Sequence, residues 1–525
     1  MTVSPRMLPG PVVLGAIGSV LILLGSFGGG ATRNRGGVLE AVGLDFLAYG
    51  HGAGISNTVF WIGVLVLLAG WVSLGYRTVI GEGGHGGVDT RTAAVRRSLW
   101  VWVAPLALAA PVLSRDVYSY LMQGAMLRDG FDPYRQGAAV NPGPYLLEVS
   151  HDWRNTTTPY GPLHLWIGEG VTRIVGDHVT AGVLLYKAIS IAGFMAIAWA
   201  MPKIARRLGG DPALALWLGV ANPVMILHMV GGMHNESVMV GLVSVGLLAC
   251  LRRRFLLGVA LIAVAVSLKA TAAIALPFVV WMATNHYAGE FATMRRRVSS
   301  FLVTGFVGVA ETLAVVAVIT WASGASWGWL SEISGNSKVI NPLALPSLLA
   351  GAVTPFIQMF NEDFDYNVPL AVFRDLSMIA MLVGLVIAWW VFRQNDRRNI
   401  MGTAAAYQVA FVFNSVTLPW YYASVISLVG TVRPPGWVLR LATGASIVVT
   451  LSFTGSGNHQ LYNIWWMVPA IAVAWLLTDI IFRDGAVGRR FAALDRARPG
   501  TRPGTRAETR PEARAETGAV ESTGG

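Results

Sequence analysis

Residues 236–284 read ESVMVGLVSVGLLACLRRRFLLGVALIAVAVSLKATAAIALPFVVWMAT, and this stretch decides the fold. Two apolar runs, 236–251 and 255–269, are parted by Arg252, Arg253 and Arg254, and a third, 271–284, follows Ser267-Leu268-Lys269-Ala270-Thr271. Runs of this kind suit a hydrocarbon core of roughly 30 Å, with charges held to the ends. Working outward, comparable runs stand at 11–29, 59–76, 98–113, 181–200, 213–231, 299–321, 371–392, 400–415, 419–431, 437–453 and 461–482. Several fall short of the ~17 residues that an untilted helix needs, so the expectation is an all-α integral membrane bundle of about 12 to 14 transmembrane helices.

Composition agrees. Of 525 residues, 54% are hydrophobic and 13% charged, with a mean hydropathy of +0.55. A soluble domain carries about twice that charged fraction. The net charge of +11 does not mark a nucleic-acid binder, because Lys and Arg sit in short clusters between apolar runs. The single cysteine, Cys250, lies inside a run and leaves no intrachain disulfide. The first run lacks a small-residue cleavage site and reads as a helix that stays.

Clusters at Arg77 with Arg91, Arg96 and Arg97, at Lys203 with Arg206 and Arg207, at Arg252–Arg254, at Arg295–Arg297, and at Arg393 with Arg397 and Arg398 fall on one side of this topology. The positive-inside bias makes that side cytoplasmic. The turns 231–235, 415–418 and 454–460 hold no Lys or Arg and lie outside, with both termini in the cytoplasm. Residues 1–482 form one membrane domain, with large outer loops at 114–180 and 322–370. The Arg-, Pro-, Glu- and Thr-rich segment 483–525 reads as a disordered cytoplasmic tail.

Function is sought in the outer segments. Ser114-Arg115-Asp116-Val117-Tyr118-Ser119-Tyr120 opens a helix whose Val117, Tyr120, Leu121, Gly124 and Leu127 share a face, suited to lying at the membrane interface with that face in lipid. Asp116 is then at headgroup depth; Ser114 or Asp116 is equally placed to cap the helix. Transfer of a sugar from a phosphate carrier to a hydroxyl needs one carboxylate base within reach of the attacking oxygen, and cations or helix N-termini for the departing phosphate. Asp129–Tyr134 and Thr158–Trp166 concentrate prolines and aromatics, including Tyr134 and Tyr160, that suit either sugar-ring walls or loop punctuation. His234, Asn235 and Glu236 crowd three polar groups between two apolar helices, the sharpest local anomaly of the chain; Asn235 is also a candidate cap. Lys269 is a lone cation in an outer turn and needs a counter-charge. Trp420, Tyr421 and Tyr422 stand at another entrance, alongside the ordinary belt role of such residues. Trp327 and Trp329 suit that belt too, and the apolar stretch 346–357 suits a dip into the membrane without crossing. No metal-ligand spacing and no glycine-rich phosphate loop after a strand are visible.

In this order and topology, Ser114–Tyr134, Thr158–Trp166, Gly231–Glu236, Ser267–Thr271 and Leu418–Tyr422 resemble the actinobacterial polyprenyl-phosphomannose-dependent α-1,6-mannosyltransferases of the MptA/MptB family. Gly328-Trp329-Leu330 and Lys338-Val339-Ile340-Asn341 lean toward its MptA branch. The resemblance implies a GT-C fold in the plasma membrane with the active site open to the outer face. It implies inverting transfer of mannose from polyprenyl-phosphate mannose to the lipid-anchored mannan of lipomannan and lipoarabinomannan, with Asp116 as base and no cofactor beyond the lipid-linked donor. Arg115, Tyr118, Tyr134, Tyr160, His234, Asn235, Glu236, Lys269, Trp420, Tyr421 and Tyr422 are the substrate-binding candidates. Membrane lipids are expected partners and nucleic acid is not. Two rivals share the spans: a lipid-linked sugar flippase or transporter, and a GT-C enzyme using another polyprenyl-phosphate sugar.

Overall fold

A computed structural model describes residues 9–80, 87–335, 340–483 and 489, and among these every extended element is helical. Lys338 and Val339 of the expected second outer loop, and the tail beyond 483 apart from residue 489, lie outside the described residues. Among the described residues six helices are long and apolar enough to cross a membrane: Pro11–Gly29, Gly50–Ile80, Val179–Arg207, Met294–Ser323, Asn367–Val391 and Ile464–Phe482. A seventh crossing is made if Pro212–Gly219 and Pro223–Gly231, bent by 53° at their junction, count as one broken span. Glu236–Leu251, Phe255–Leu268, Leu345–Gln358 and Gly436–Leu451 are apolar but shorter. The expected span at 271–284 is a 3-10 turn, Ala270–Ala275, followed by the helix Leu276–Ala288. That at 419–431 is a 3-10 turn, Pro419–Tyr422, followed by seven helical residues.

Small residues bring the helices together, as they do where lipid offers no hydrophobic drive between apolar surfaces. Pro11–Gly29 and Gly50–Leu74 meet backbone to backbone, so that a Cβ on Gly63 would stand 2.7 Å from Ile22 N and one on Gly70 2.7 Å from Gly15 N. One pair of large buried rings is fully satisfied: Trp71 and Trp217 stack with centroids 4.7 Å apart, and each indole N–H donates to the other's carbonyl at 3.0 Å.

The helix Asp116–Arg128 departs from expectation. Val117, Tyr118, Ser119, Tyr120, Leu121, Met122, Gly124, Ala125 and Met126 are all buried, so it does not lay one face in lipid. It crosses the helix Pro162–Val175 at a glycine pair, where a Cβ on Gly168 would lie 2.9 Å from Gly124 Cα and 3.0 Å from Tyr120 O. Periodicity over thirteen residues does not distinguish lipid from a protein neighbour, and the glycines select the neighbour. The segment 324–335 closes over the segment 129–158: Ser326 donates to Asp132 at 2.9 Å, Thr157 bonds Glu332, and Gly328 packs against the Tyr134 side chain. Trp329 is buried there rather than sitting in an aromatic belt, whereas Trp327 is half exposed.

Candidate active site

Two chain segments are held in place where they meet. Val112 N–H donates to the Gly231 carbonyl at 3.2 Å, and Leu113 N–H donates to Gly455 at 2.7 Å. Leu113 (φ 65°) and Met233 (φ 54°) both adopt the left-handed conformation that side chains other than glycine disfavour, and each lies just before the polar residues of its segment. Backbone strain of this kind persists only where surrounding contacts over-determine it, and it gathers at functional sites. The consequence is that Asp116 and His234, 118 positions apart in the chain, stand with Oδ2 and Nδ1 3.2 Å from each other.

Around that contact buried and half-buried polar groups gather. Tyr120 OH approaches Asp116 Oδ2 at 3.4 Å, and the His234 ring stacks on Trp420 with centroids 3.7 Å apart. Glu236 forms an ion pair with Lys269, whose ammonium also lies 3.9 Å from the Tyr421 ring centroid and 5.5 Å from that of Tyr160. Asn235 does not cap the next helix; its amide reaches His164 Nδ1 at 3.3 Å, and His164 Nε2 reaches Gln123 Oε1 at 3.1 Å, which also accepts from Thr158. Gly161 N–H donates to the Leu268 carbonyl at 3.0 Å, pinning the start of the His164 helix to the break between helices at Lys269.

Exposure separates the two acids of the cluster. His234 and Glu236 are sealed from solvent, while 19% of the Asp116 side chain remains open. Burial works to raise the Asp116 carboxyl. That is the largest single influence, but the contact and charge of His234, the Ser114 hydrogen bond and the Lys269 charge together outweigh it, and the net direction is below the ordinary 3.8. His164 is driven the other way from a cation: burial, then the Lys269 charge, lowers it to about 3, so it serves as a neutral hydrogen-bond bridge. An ionised, partly open carboxylate among rings and one ammonium is equipped to take a proton from a hydroxyl.

Comparison with known proteins bears on what hydroxyl that is. A family profile described as Alpha-(1->6)-mannopyranosyltransferase, N-terminal domain, matches residues 12–285, and one described as the MptB C-terminal domain matches residues 346–483. Alpha-(1->6)-mannopyranosyltransferase A of Corynebacterium glutamicum is 64% identical over 476 residues, which cover 88% of this chain and 96% of that one. The chain belongs to the α-(1→6)-mannopyranosyltransferase family. The A enzyme of Mycobacterium tuberculosis is 37% identical, covering 89% of each chain, and the B enzyme of C. glutamicum is 28% identical over 78% of this chain and 70% of that one. Identity to the A members thus exceeds identity to the B member, in keeping with the residues at 328–330.

In this mannopyranosyltransferase-family chain, the sequence candidates divide. Asp116, Tyr160, His234, Asn235, Glu236, Lys269, Trp420 and Tyr421 are brought together. Tyr422 sits just behind them, its ring 5.8 Å from Phe411. Arg115 turns elsewhere, bonding the Glu148 carboxylate at 3.2 Å and the Thr32 carbonyl at 2.7 Å; Tyr118 bonds Ala31 O, and Tyr134 lies under the second loop. Neither Ser114 nor Asp116 caps its helix in the expected way: Ser114 Oγ accepts from Asp116 N–H at 3.1 Å and no side chain caps N2 or N3. Lys269 is not a lone cation, because Glu236 supplies its counter-charge. His164, Gln123 and Glu148 are additions that sequence reasoning missed. His164 lies inside a motif already marked, but no local signal distinguishes Gln123 or Glu148.

Lys187 is a further omission. It is buried mid-helix in Val179–Arg207 and donates to the carbonyls of Val230 and Gly231 at 3.1 and 3.3 Å, binding the broken span that leads to His234. An ionisable residue inside an apolar run was the signal for it.

Proposed function

We propose that this protein transfers mannose from polyprenyl-phosphate mannose to a growing α-1,6-mannan acceptor of lipomannan and lipoarabinomannan, at the outer face of the plasma membrane and with inversion. The acceptor's 6-hydroxyl attacks the anomeric carbon while Asp116 takes its proton. The bond from that carbon to the phosphate oxygen breaks with its electron pair on oxygen, releasing polyprenyl phosphate. His234, itself fixed against Trp420, positions the carboxylate. Lys269 spends one of its three N–H donors on Glu236 and keeps two for the carrier phosphate, with the Glu236–Leu251 N-terminus facing the same place. Tyr160, Tyr421 and Trp420 supply faces for the sugar ring, and Tyr422 lies toward the prenyl entrance. In this reading the bundle is of GT-C type, its short apolar helices completing about 12 to 14 crossings.

The observation that carries the reading is the Asp116 carboxylate, open to a ligand and paired with His234, in a chain of this family. Product analysis tests it. Purified protein incubated with defined polyprenyl-phosphate sugars and a short α-1,6-oligomannoside is expected to extend the oligomannoside from the mannose donor alone, by an α-1,6 bond. Extension from a polyprenyl-phosphate pentose in preference to mannose, or no product at all, overturns it.

A further inference from the structure

The helix Glu236–Leu251 begins at the polar cluster and ends at Arg252, its 16 residues spanning about 24 Å at 1.5 Å each. At that far end, walled by the helices Leu276–Ala288 and Met294–Ser323 and by residues 389–397, lies a cavity of about 1150 Å³. Five arginines, Arg207, Arg253, Arg297, Arg393 and Arg397, line it against two carboxylates, Glu290 and Asp396. Asp396 is engaged by Arg253 at 2.9 Å. Arg297 donates to the Glu290 carbonyl at 3.1 Å, and Arg393 bonds the Trp390 carbonyl and lies 3.6 Å over the Trp390 ring. Each guanidinium has five N–H donors, so one carbonyl leaves most of them for a ligand.

Deeper in, the wall turns aromatic. The Trp281 ring lies 4.8 Å from Phe301 and 5.2 Å from Trp389, and the buried Trp281 indole nitrogen has no hydrogen-bond partner among the described residues. Trp389 is shared with a second, apolar groove of about 340 Å³ formed by Phe278, Leu385, Val386 and their neighbours. The two long helices beside these spaces, Met294–Ser323 and Asn367–Val391, bury only 11% of their most apolar stretch in protein, so this flank meets lipid. Cations, then aromatic rings, then an apolar channel reproduce the order of parts in a phospholipid.

We propose that this cavity binds an anionic phospholipid of the leaflet opposite the active site, its phosphodiester held by Arg297 and Arg393 and an acyl chain running past Trp389 into the apolar groove. The proposal rests on the membrane orientation stated above but not on the transfer reaction. Such a lipid ties the helix Leu276–Ala288, which continues directly from the Lys269 break, to the helices on its lipid side.

Native mass spectrometry of the full chain released from bilayers of equal phosphatidylglycerol and phosphatidylcholine tests it. At about 1 kcal/mol for each of the two arginines, phosphatidylglycerol is expected to be retained over phosphatidylcholine by about thirtyfold, and Arg297→Gln with Arg393→Gln to bring the ratio close to parity. Equal retention of both lipids by the wild type overturns the proposal. So does displacement of phosphatidylglycerol by undecaprenyl phosphate, which makes this a carrier site, or by inorganic phosphate, which makes it a plain anion site. Should the double variant fail to fold, Arg393→Gln alone decides, and an unchanged ratio overturns the assignment. Mannosyl transfer measured on the same preparations keeps the two readings apart: a wild type that transfers mannose but shows no lipid selectivity defeats this one only, and one that selects the lipid but transfers nothing defeats the transfer reading only.

Discussion

Two carboxylates in the first large loop, Glu148 and Asp116, show how alike two acids look in sequence and how differently the fold treats them. Glu148 is 1% exposed and saturated: Arg33 lies at 3.4 Å, Arg115 at 3.2 Å, and Asn34 N–H donates at 2.6 Å. Asp116 is 19% exposed, and its contacts with His234 and Tyr120 both fall on Oδ2. A carboxylate whose lone pairs are filled by cations is a fastening. One held by a single imidazole and a phenol, with part of its surface open, retains acceptor capacity for a substrate proton. Reactivity here is a matter of what has been left unfilled.

The comparison is broken or sharpened most strongly by exchanging each acid for its amide. Asp116→Asn is expected to lower kcat by about 10²- to 10⁴-fold with only a small fall in melting temperature, the stability its ionised form contributes. Glu148→Gln is expected to cost on the order of 3 kcal/mol of stability, because it strands Arg33 and Arg115, while the folded fraction keeps its kcat. Calorimetry and transfer assays on both variants decide, and a wild-type rate in Asp116→Asn removes it as the base.

A smaller effect is expected at the glycine crossing that carries Tyr120 and His164 to the site. Gly168→Ala places a methyl 2.9 Å from Gly124 Cα and 3.0 Å from both Tyr120 O and Tyr186 OH, an overpacking of about 1–3 kcal/mol. Gly170→Ala, two residues on with nothing within 4 Å, is the control and is expected to change neither melting nor rate.

The smallest effect concerns pH. Because the Asp116 carboxyl lies below its ordinary 3.8 in the folded site, its ionised form adds stability above that value, and the contribution is lost as pH falls through the lowered one. The acid limb of kcat/KM is expected below the ordinary carboxylate range. His234→Asn removes the chief opponent of burial and is expected to move that limb to higher pH. A limb that does not move shows that His234 neither charges nor orients the base.

Much of this was legible in residues. The polar stretches at 114–120, 158–166, 231–236, 267–271 and 418–422 are the segments that converge, because ionisable and aromatic groups at the ends of apolar runs are anomalies that a bilayer makes conspicuous. What each does was less legible. Lys269 looks solitary in its own turn because its partner Glu236 is 33 residues away, and Asn235 looks like a cap because its partner His164 lies in another helix. Arg115 sits next to Asp116 in the chain yet points to Glu148, since consecutive residues at a helix start leave in different directions.

Hydrophobic runs and the charges between them, read from sequence alone, determined that this is a helical membrane protein and where its unusual polar groups lie. Both are local properties of the chain and need no knowledge of neighbours. Only the tertiary structure decided which acid stays open, which cation is already spent and which helix is buried rather than laid on lipid. Those outcomes turn on separations of a few ångströms, set by crossings such as Gly124 on Gly168 that join residues far apart in the chain.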